Sequence, residues 1–265
     1  MTTPLGRTLF TFCWIALFVC AGTTNGQESE FKQIEFDSLD GLKITADLYM
    51  KSSDKTQPFI LLCHQAGWSR GEYREIAPKL TAMGFNCMAI DQRSGSEVGG
   101  ITNETAARAK TASKGMNFVD AEQDIIAAAK HAKANFAEGK MLLWGSSYSA
   151  ALVLRIAGEH IELAGGALAF APGEYFGRQG KPKDWIASSV SQATCPIFIT
   201  SAKKEYGGWK GIFAAIKADG KTKFLPQTAG NHGSRALWDK FNDSGDYWKA
   251  VEAFLKQFQF EAITN

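Results

Sequence analysis

No stretch of this 265-residue sequence concentrates charge of one sign. Lysine and arginine number 29 against 27 acidic residues, with no polybasic run or acidic tail, so the electrostatic footprint of a nucleic-acid binder is missing. Metal-ligand spacings are missing too. There is no Cys-x-x-Cys and no His-Glu-x-x-His, so no metal is implied. Cysteine is scarce at five. Two of these, Cys13 and Cys20, fall in an apolar N-terminal stretch, and Cys63, Cys87 and Cys195 lie in or beside apolar strand patterns. An odd set so placed reads as buried thiols and not as a disulfide framework. Internal repeats and low-complexity tracts are absent, and the length suits one α/β domain with a sizeable core, or at most two small ones.

At the N-terminus, Arg7 precedes an apolar run at 9–21, followed by small and polar residues at 22–26. That run falls short of the roughly 20 residues a spanning helix needs. Residues 1–26 therefore read as a secretory signal peptide, cleaved after Ala21 or near Gly26. The mature chain, 27–265, is then expected as a single secreted or periplasmic domain with no stable membrane span, and an uncleaved anchor is the alternative. Asn103-Glu104-Thr105 and Asn242-Asp243-Ser244 are glycosylation sequons where secretion passes through an endoplasmic reticulum.

Beyond the leader, 31–36 and 42–49 alternate loosely around Asp40-Gly41, which predicts an antiparallel hairpin. Continuous apolar runs at 59–63 and 85–90 have the character of strands buried on both faces. Between them, 72–83 reads as a helix stopped by Gly84. A polar excursion at 92–114 with a short helix at 105–112 is the candidate cover for a site, because 172–194 is too short for a lid domain. Helices are predicted at 118–136, 184–192 and 209–218, strands at 165–171, 196–200 and 221–226, and a last amphipathic helix on Tyr247, Val251, Phe254, Leu255 and Phe258. Alternating β and α units after an antiparallel start give an α/β fold: a mostly parallel eight-stranded sheet with helices on both faces.

The chemistry centres on Trp144-Gly145-Ser146-Ser147-Tyr148-Ser149, where an apolar run meets a helix pattern at once. Ser147 sits on a sharp strand-to-helix turn flanked two residues away by the small Gly145 and Ser149, the geometry of a nucleophile elbow. A serine hydroxyl needs a base, itself oriented by an acid. Of four histidines, His131 and His160 fall within or near the ends of helices, and His64 ends the third strand, where it orders a loop. His232, in Ala229-Gly230-Asn231-His232-Gly233, follows the eighth strand and is the expected base. Glu205, after the seventh strand, is the favoured acid, and Glu174, after the sixth, competes with it. Backbone amides of Tyr148 and of Ala66 or Gln65 are the expected oxyanion donors. Trp68, Tyr175, Tyr206 and Trp209 are candidate pocket-lining residues.

Together, the elbow at Ser147, His64-Gln65-Ala66-Gly67, Asp91-Gln92-Arg93-Ser94-Gly95, Glu205 and His232 resemble an α/β-hydrolase of the dienelactone-hydrolase-like group, over essentially the whole mature chain. The resemblance implies cofactor-free hydrolysis of a carboxylic ester, lactone or related acyl bond in a small molecule. Three positions depart from the pattern. Ser147 stands where dienelactone hydrolases carry cysteine, Ser149 replaces the second elbow glycine, and His64-Gln65 replaces the usual His-Gly. An amidase, peptidase or thioesterase would use the same residues, and a non-catalytic ligand-binding protein on this scaffold is the reading from another class.

Overall fold

The structure is a computed structural model that describes residues 1–2 and 31–259, so the apolar N-terminal run and both expected cleavage points lie outside the described residues. Among the described residues no helix is long and apolar enough to cross a membrane.

In chain order the elements are β1 (Lys32–Asp37), β2 (Lys43–Tyr49), β3 (Phe59–Cys63), α1 (Ala77–Ala82), β4 (Asn86–Ile90), β5 (Glu97–Val98), β6 (Ile101–Thr102) and α2 (Glu104–Thr111). Then follow α3 (Glu122–Asn135), β7 (Met141–Ser146), α4 (Tyr148–Glu159), β8 (Gly166–Phe170), α5 (Trp185–Val190), β9 (Ile197–Thr200), α6 (Tyr206–Ala215), β10 (Thr222–Phe224) and α7 (Ser244–Leu255). An eight-stranded sheet runs β1-β2-β4-β3-β7-β8-β9-β10. The β1–β2 and β2–β4 pairs are antiparallel and the rest parallel. The expected α/β architecture with its antiparallel start is what forms. The first hairpin closes where Gly41 takes φ 78° and the Asp40 carboxylate accepts the Leu42 N–H.

Alternation along the buried strands divides the core in two. Leu61 and Leu143 face α3 and α4, while Ile60, Leu62, Leu142 and Trp144 face α1 and α7. Both faces are apolar because both are covered, which is why these strands read as unbroken hydrophobic runs. Each fully buried Leu, Ile or Phe contributes roughly 1.5–3 kcal/mol of transfer free energy, so this double layer dominates the stabilisation. Cys63, Cys87 and Cys195 are buried free thiols. Burial pushes all three thiol pKa values up, that of Cys195 to about 11.

Several local expectations are corrected. The helix expected over 72–83 is a 3-10 turn (Arg70–Tyr73) and a separate six-residue α1, because Pro78 has no N–H to donate and is accommodated in a helix's first turn. The excursion 92–114 contains the two-residue strands β5 and β6, joined through Gly99 and Gly100, at φ 61° and 76°. It is pinned down: Asn103 Nδ2 donates to the Gln92 and Trp68 carbonyls, and α2 lies against β2. Asn103 is 1% exposed, so as folded it is closed to glycosylation. Helix α6 begins three residues earlier than expected because Gly207 and Gly208 continue the turn that follows Glu205.

Two buried ion clusters fasten the loops above the strands. Arg70 donates to Asp47 at 3.1 Å and to Asp91 at 2.6 Å, and Asp91 also accepts the backbone N–H groups of Arg70 and Glu104. Arg93, 1% exposed, donates to Asp124 and Asp40. Those contacts hold the Asp40 carboxyl well below the usual carboxylate range.

Candidate active site

Parallel register aligns Cys63, Gly145, Ala169, Ile199 and Lys223 in one row across β3, β7, β8, β9 and β10. Just beyond that row, at the carboxyl ends of the strands, the chain leaves the sheet through the loops that carry Ala66, Ser147, Glu205 and His232. In an open parallel sheet this is the edge where ligands bind.

Ser147 has φ 60° and ψ −120°, a strained conformation for a residue with a Cβ. The turn closes because Gly145 is bare: a Cβ there would lie 2.4 Å from the Ser149 carbonyl oxygen. Ser149 does more than stay small. Its hydroxyl accepts the Ser146 N–H at 3.0 Å and lies 2.7 and 2.8 Å from the carbonyl oxygens of Cys63 and His64, stitching the elbow to the end of β3.

His232 Nε2 lies 2.8 Å from Ser147 Oγ, and its Nδ1 lies 2.7 Å from Glu205 Oε1. A carboxylate only accepts, so Nδ1 carries the ring proton and Nε2 accepts from the serine hydroxyl. Glu205 sits in the 3-10 turn directly after β9, where its Oε2 accepts the Ala202 N–H at 3.1 Å. The His232 loop is held from several sides. Lys203 N–H donates to the Ala229 carbonyl, Asn231 N–H to the Tyr247 hydroxyl, and Ser234 N–H to Ser146 Oγ at 2.9 Å. Gly233, at φ 71°, passes so close to Ser146 that a Cβ would lie 2.5 Å from its Oγ.

The other candidates separate. Glu174 is occupied elsewhere, accepting the Ile186 and Ala187 N–H groups at the start of α5. His131 stacks on Phe36, and His160 lies near Glu162 past the end of α4. His64 is fully buried: its Nδ1 donates to the Gln65 carbonyl and its Nε2 accepts the Gln92 N–H. Burial lowers its pKa to about 4, so it stays neutral and orders the loop.

Of the expected oxyanion donors, Tyr148 N–H opens α4 and belongs to the first-turn amides that no intrahelical carbonyl reaches. Among the described residues no hydrogen bond engages the Ala66 N–H. Gln65 is a correction: its N–H donates to Glu72 Oε2 at 2.8 Å and is not offered to a ligand.

Of the candidate pocket-lining residues, Trp209 needs correction. Trp209 is fully buried in the core, donating Nε1–H to Ser201 Oγ. The Tyr206 hydroxyl accepts from Lys223, and its ring meets Trp209 edge-on. Trp68 stacks on Trp238 and lines a cavity of about 510 Å³ with Arg74, Val98 and Arg235, a set that includes neither Ser147 nor His232. Tyr175 does border Ser147. Its hydroxyl donates to the Ala171 carbonyl at 2.7 Å, and Ala171 is itself held at φ 58°. Burial, then the Glu205 charge, push this phenol's pKa up to about 12 against an opposing hydrogen bond with Ser147, so it remains a neutral donor.

Sequence reasoning passed over Glu72, which is fully buried beneath these loops. Its neighbours Arg70, Arg74 and Glu75 make the stretch look like an ordinary solvated helix face.

The family model described as serine aminopeptidase, S33, matches residues 54–204, more than half of the chain and ending one residue before Glu205. No curated protein matches in sequence. Among solved structures, the chain is similar to an esterase of Pyrococcus furiosus (19% identity, 87% of this chain and 91% of that one, TM-score 0.62). It is also similar to a dienelactone hydrolase of Anabaena variabilis (12% identity, 88% and 100%, TM-score 0.65) and a carboxyl esterase of Bacillus coagulans (11% identity, 87% and 99%, TM-score 0.63). At these identities the likeness is one of fold, and that fold is the α/β-hydrolase, dienelactone-hydrolase-like one.

Proposed function

Because the chain belongs to the serine aminopeptidase S33 family of α/β-hydrolases, we propose that it cleaves a carboxylic ester, lactone or related acyl bond of a small molecule, with Ser147 as nucleophile, His232 as base and Glu205 as the orienting acid. The observation that carries this reading is the unbroken line from Glu205 through His232 to Ser147, with hydrogen-bond lengths of 2.7 and 2.8 Å.

His232 Nε2 takes the hydroxyl proton as Ser147 Oγ bonds to the substrate carbonyl carbon. The negative oxygen that forms is met by the N–H groups of Tyr148 and Ala66, and losing one such donor typically costs roughly a hundred- to thousandfold in rate. His232 passes its proton to the departing alkoxide, leaving an acyl-enzyme on Ser147. A water then gives a proton to His232 and its oxygen to the acyl carbon, and the acid leaves as Ser147 regains its hydrogen. Glu205 keeps Nδ1 protonated and supports the imidazolium between these transfers.

Esters are favoured over aminopeptidase substrates because Glu174 and Glu205, the glutamates of the loops after β8 and β9, are already engaged by amides or imidazole, and Asp184, at the start of α5, accepts from the Ser188 hydroxyl. Neither glutamate is offered to a free α-ammonium group. Purified protein is expected to hydrolyse short p-nitrophenyl esters faster than aminoacyl p-nitroanilides, and Ser147→Ala to abolish turnover. Ester hydrolysis that survives that substitution refutes the assignment. The leader at 1–26 would send the chain to a secreted or periplasmic compartment. N-terminal sequencing of exported protein tests this, and a start upstream of Ala21 contradicts it.

A further inference from the structure

We propose that Glu72 is a positioning residue of this site: its carboxylate joins the loop after β3 to the elbow and, through Ser146, to the loop carrying His232, and its charge supports His232 when that ring is protonated. The inference rests on the hydrolase reading above.

Each Glu72 oxygen has its own work. Oε2 accepts the Gln65 N–H at 2.8 Å, beside the Ala66 amide expected to face the oxyanion. Oε1 accepts from the Ser146 hydroxyl at 2.7 Å, and that hydroxyl oxygen accepts the Ser234 N–H at 2.9 Å, two residues past His232. The backbone is held as well, since Trp238 Nε1–H donates to the Glu72 carbonyl. One fully buried carboxylate thus ties together the three segments whose relative placement sets the geometry at Ser147. A buried charge is costly and is commonly replaceable by an uncharged side chain, so its presence beneath a site needs a reason beyond packing.

The charged and titratable groups facing Glu72 are His232 and Arg235 from the β10–α7 loop, Tyr73 from its own turn and Tyr148 from α4. Burial raises the carboxyl pKa to about 7, against lowering by Ser146, Gln65, His232 and Arg235. As pH falls through that value, Glu72 loses its charge, so the acid limb of kcat/KM includes an ionisation that belongs to Glu72.

The test compares wild type, Glu72→Gln and Ser146→Ala, with folding checked by circular dichroism and fluorophosphonate labelling run alongside ester kinetics. Glu72→Gln is expected to lower kcat at least tenfold with KM within about twofold, and to remove the Glu72 ionisation from the acid limb. Ser146→Ala is expected to lower kcat while keeping the Glu72 ionisation in the acid limb. Glu72→Gln activity within about twofold of wild type, or a lowered activity with the limb unchanged, overturns the proposal. Should Glu72→Gln not fold, Ser146→Ala decides: wild-type kcat overturns the proposal and a lowered kcat with KM kept supports it. A wild type that is neither labelled nor active overturns the hydrolase reading and this role together, whereas a labelled wild type with an indifferent Glu72→Gln overturns this role alone.

Discussion

Replacing Glu72 by glutamine should make stability less dependent on pH, and the size of the effect follows from the burial of one carboxyl group. The Glu72 pKa is raised from 4.5 to about 7, with burial as the main cause. The folded state therefore holds this proton over a range in which the unfolded chain has lost it. The associated stability is fully present below pH 4.5 and is lost as pH rises through about 7. A shift of about 2.5 units at 1.36 kcal/mol each corresponds to about 3 kcal/mol. Glutamine keeps the shape and an acceptor for the Gln65 N–H but does not titrate. Urea unfolding of both proteins at about pH 4.5 and about pH 8.5 should show Glu72→Gln gaining about 3 kcal/mol relative to wild type at the higher pH. Taking the difference between the two proteins cancels the titrations they share. An unchanged difference across that range would refute both the buried charge and the inference that folding bears its cost for the sake of the site.

Other substitutions probe the rest of the site and its supports. Glu205→Gln should lower kcat by roughly a thousandfold or more, because the ring loses the carboxylate that fixes its tautomer; Glu174→Gln should leave kcat within about twofold and cost about 1 kcal/mol at the start of α5. Equal losses in the two would reopen the choice of acid. Gly233→Ala, at φ 71° with Ser146 Oγ 2.5 Å from the new Cβ, should cost about 1–3 kcal/mol in thermal unfolding and lower kcat with it. Asp91→Ala strips Arg70 of its 2.6 Å partner in a buried cluster and should cost about 3–5 kcal/mol by chemical denaturation.

What could be read from the chain beforehand divides along physical lines. Strands covered on both faces carry continuous apolar runs, so β3, β4 and β7 were legible, as was the elbow, whose turn calls for small residues two positions either side of Ser147. The order of Ser147, Glu205 and His232 was legible because parallel strands deliver successive loops to one edge. Where a side chain points was not. Trp209 and Trp68 both looked like walls of one pocket, yet Trp209 fills the core and Trp68 stacks on Trp238 beside a cavity whose lining does not include Ser147. Ala66 is favoured over Gln65 as the second donor, but nothing local to the loop reveals that the Gln65 N–H is taken by Glu72. Glu72 was hidden by its neighbours: Arg70 and Arg74 are drawn to Asp47 by contacts distant in sequence, and no local spacing reveals them. The strands β5 and β6, two residues each, are too short for any periodicity to register.

Covalent trapping bears most directly on the central claim. Wild-type protein treated with a fluorophosphonate, digested and weighed by mass spectrometry should carry a single adduct, on Ser147, formed far more slowly in Glu205→Gln. No adduct, or an adduct mapped to Ser146 or another serine, would contradict the account.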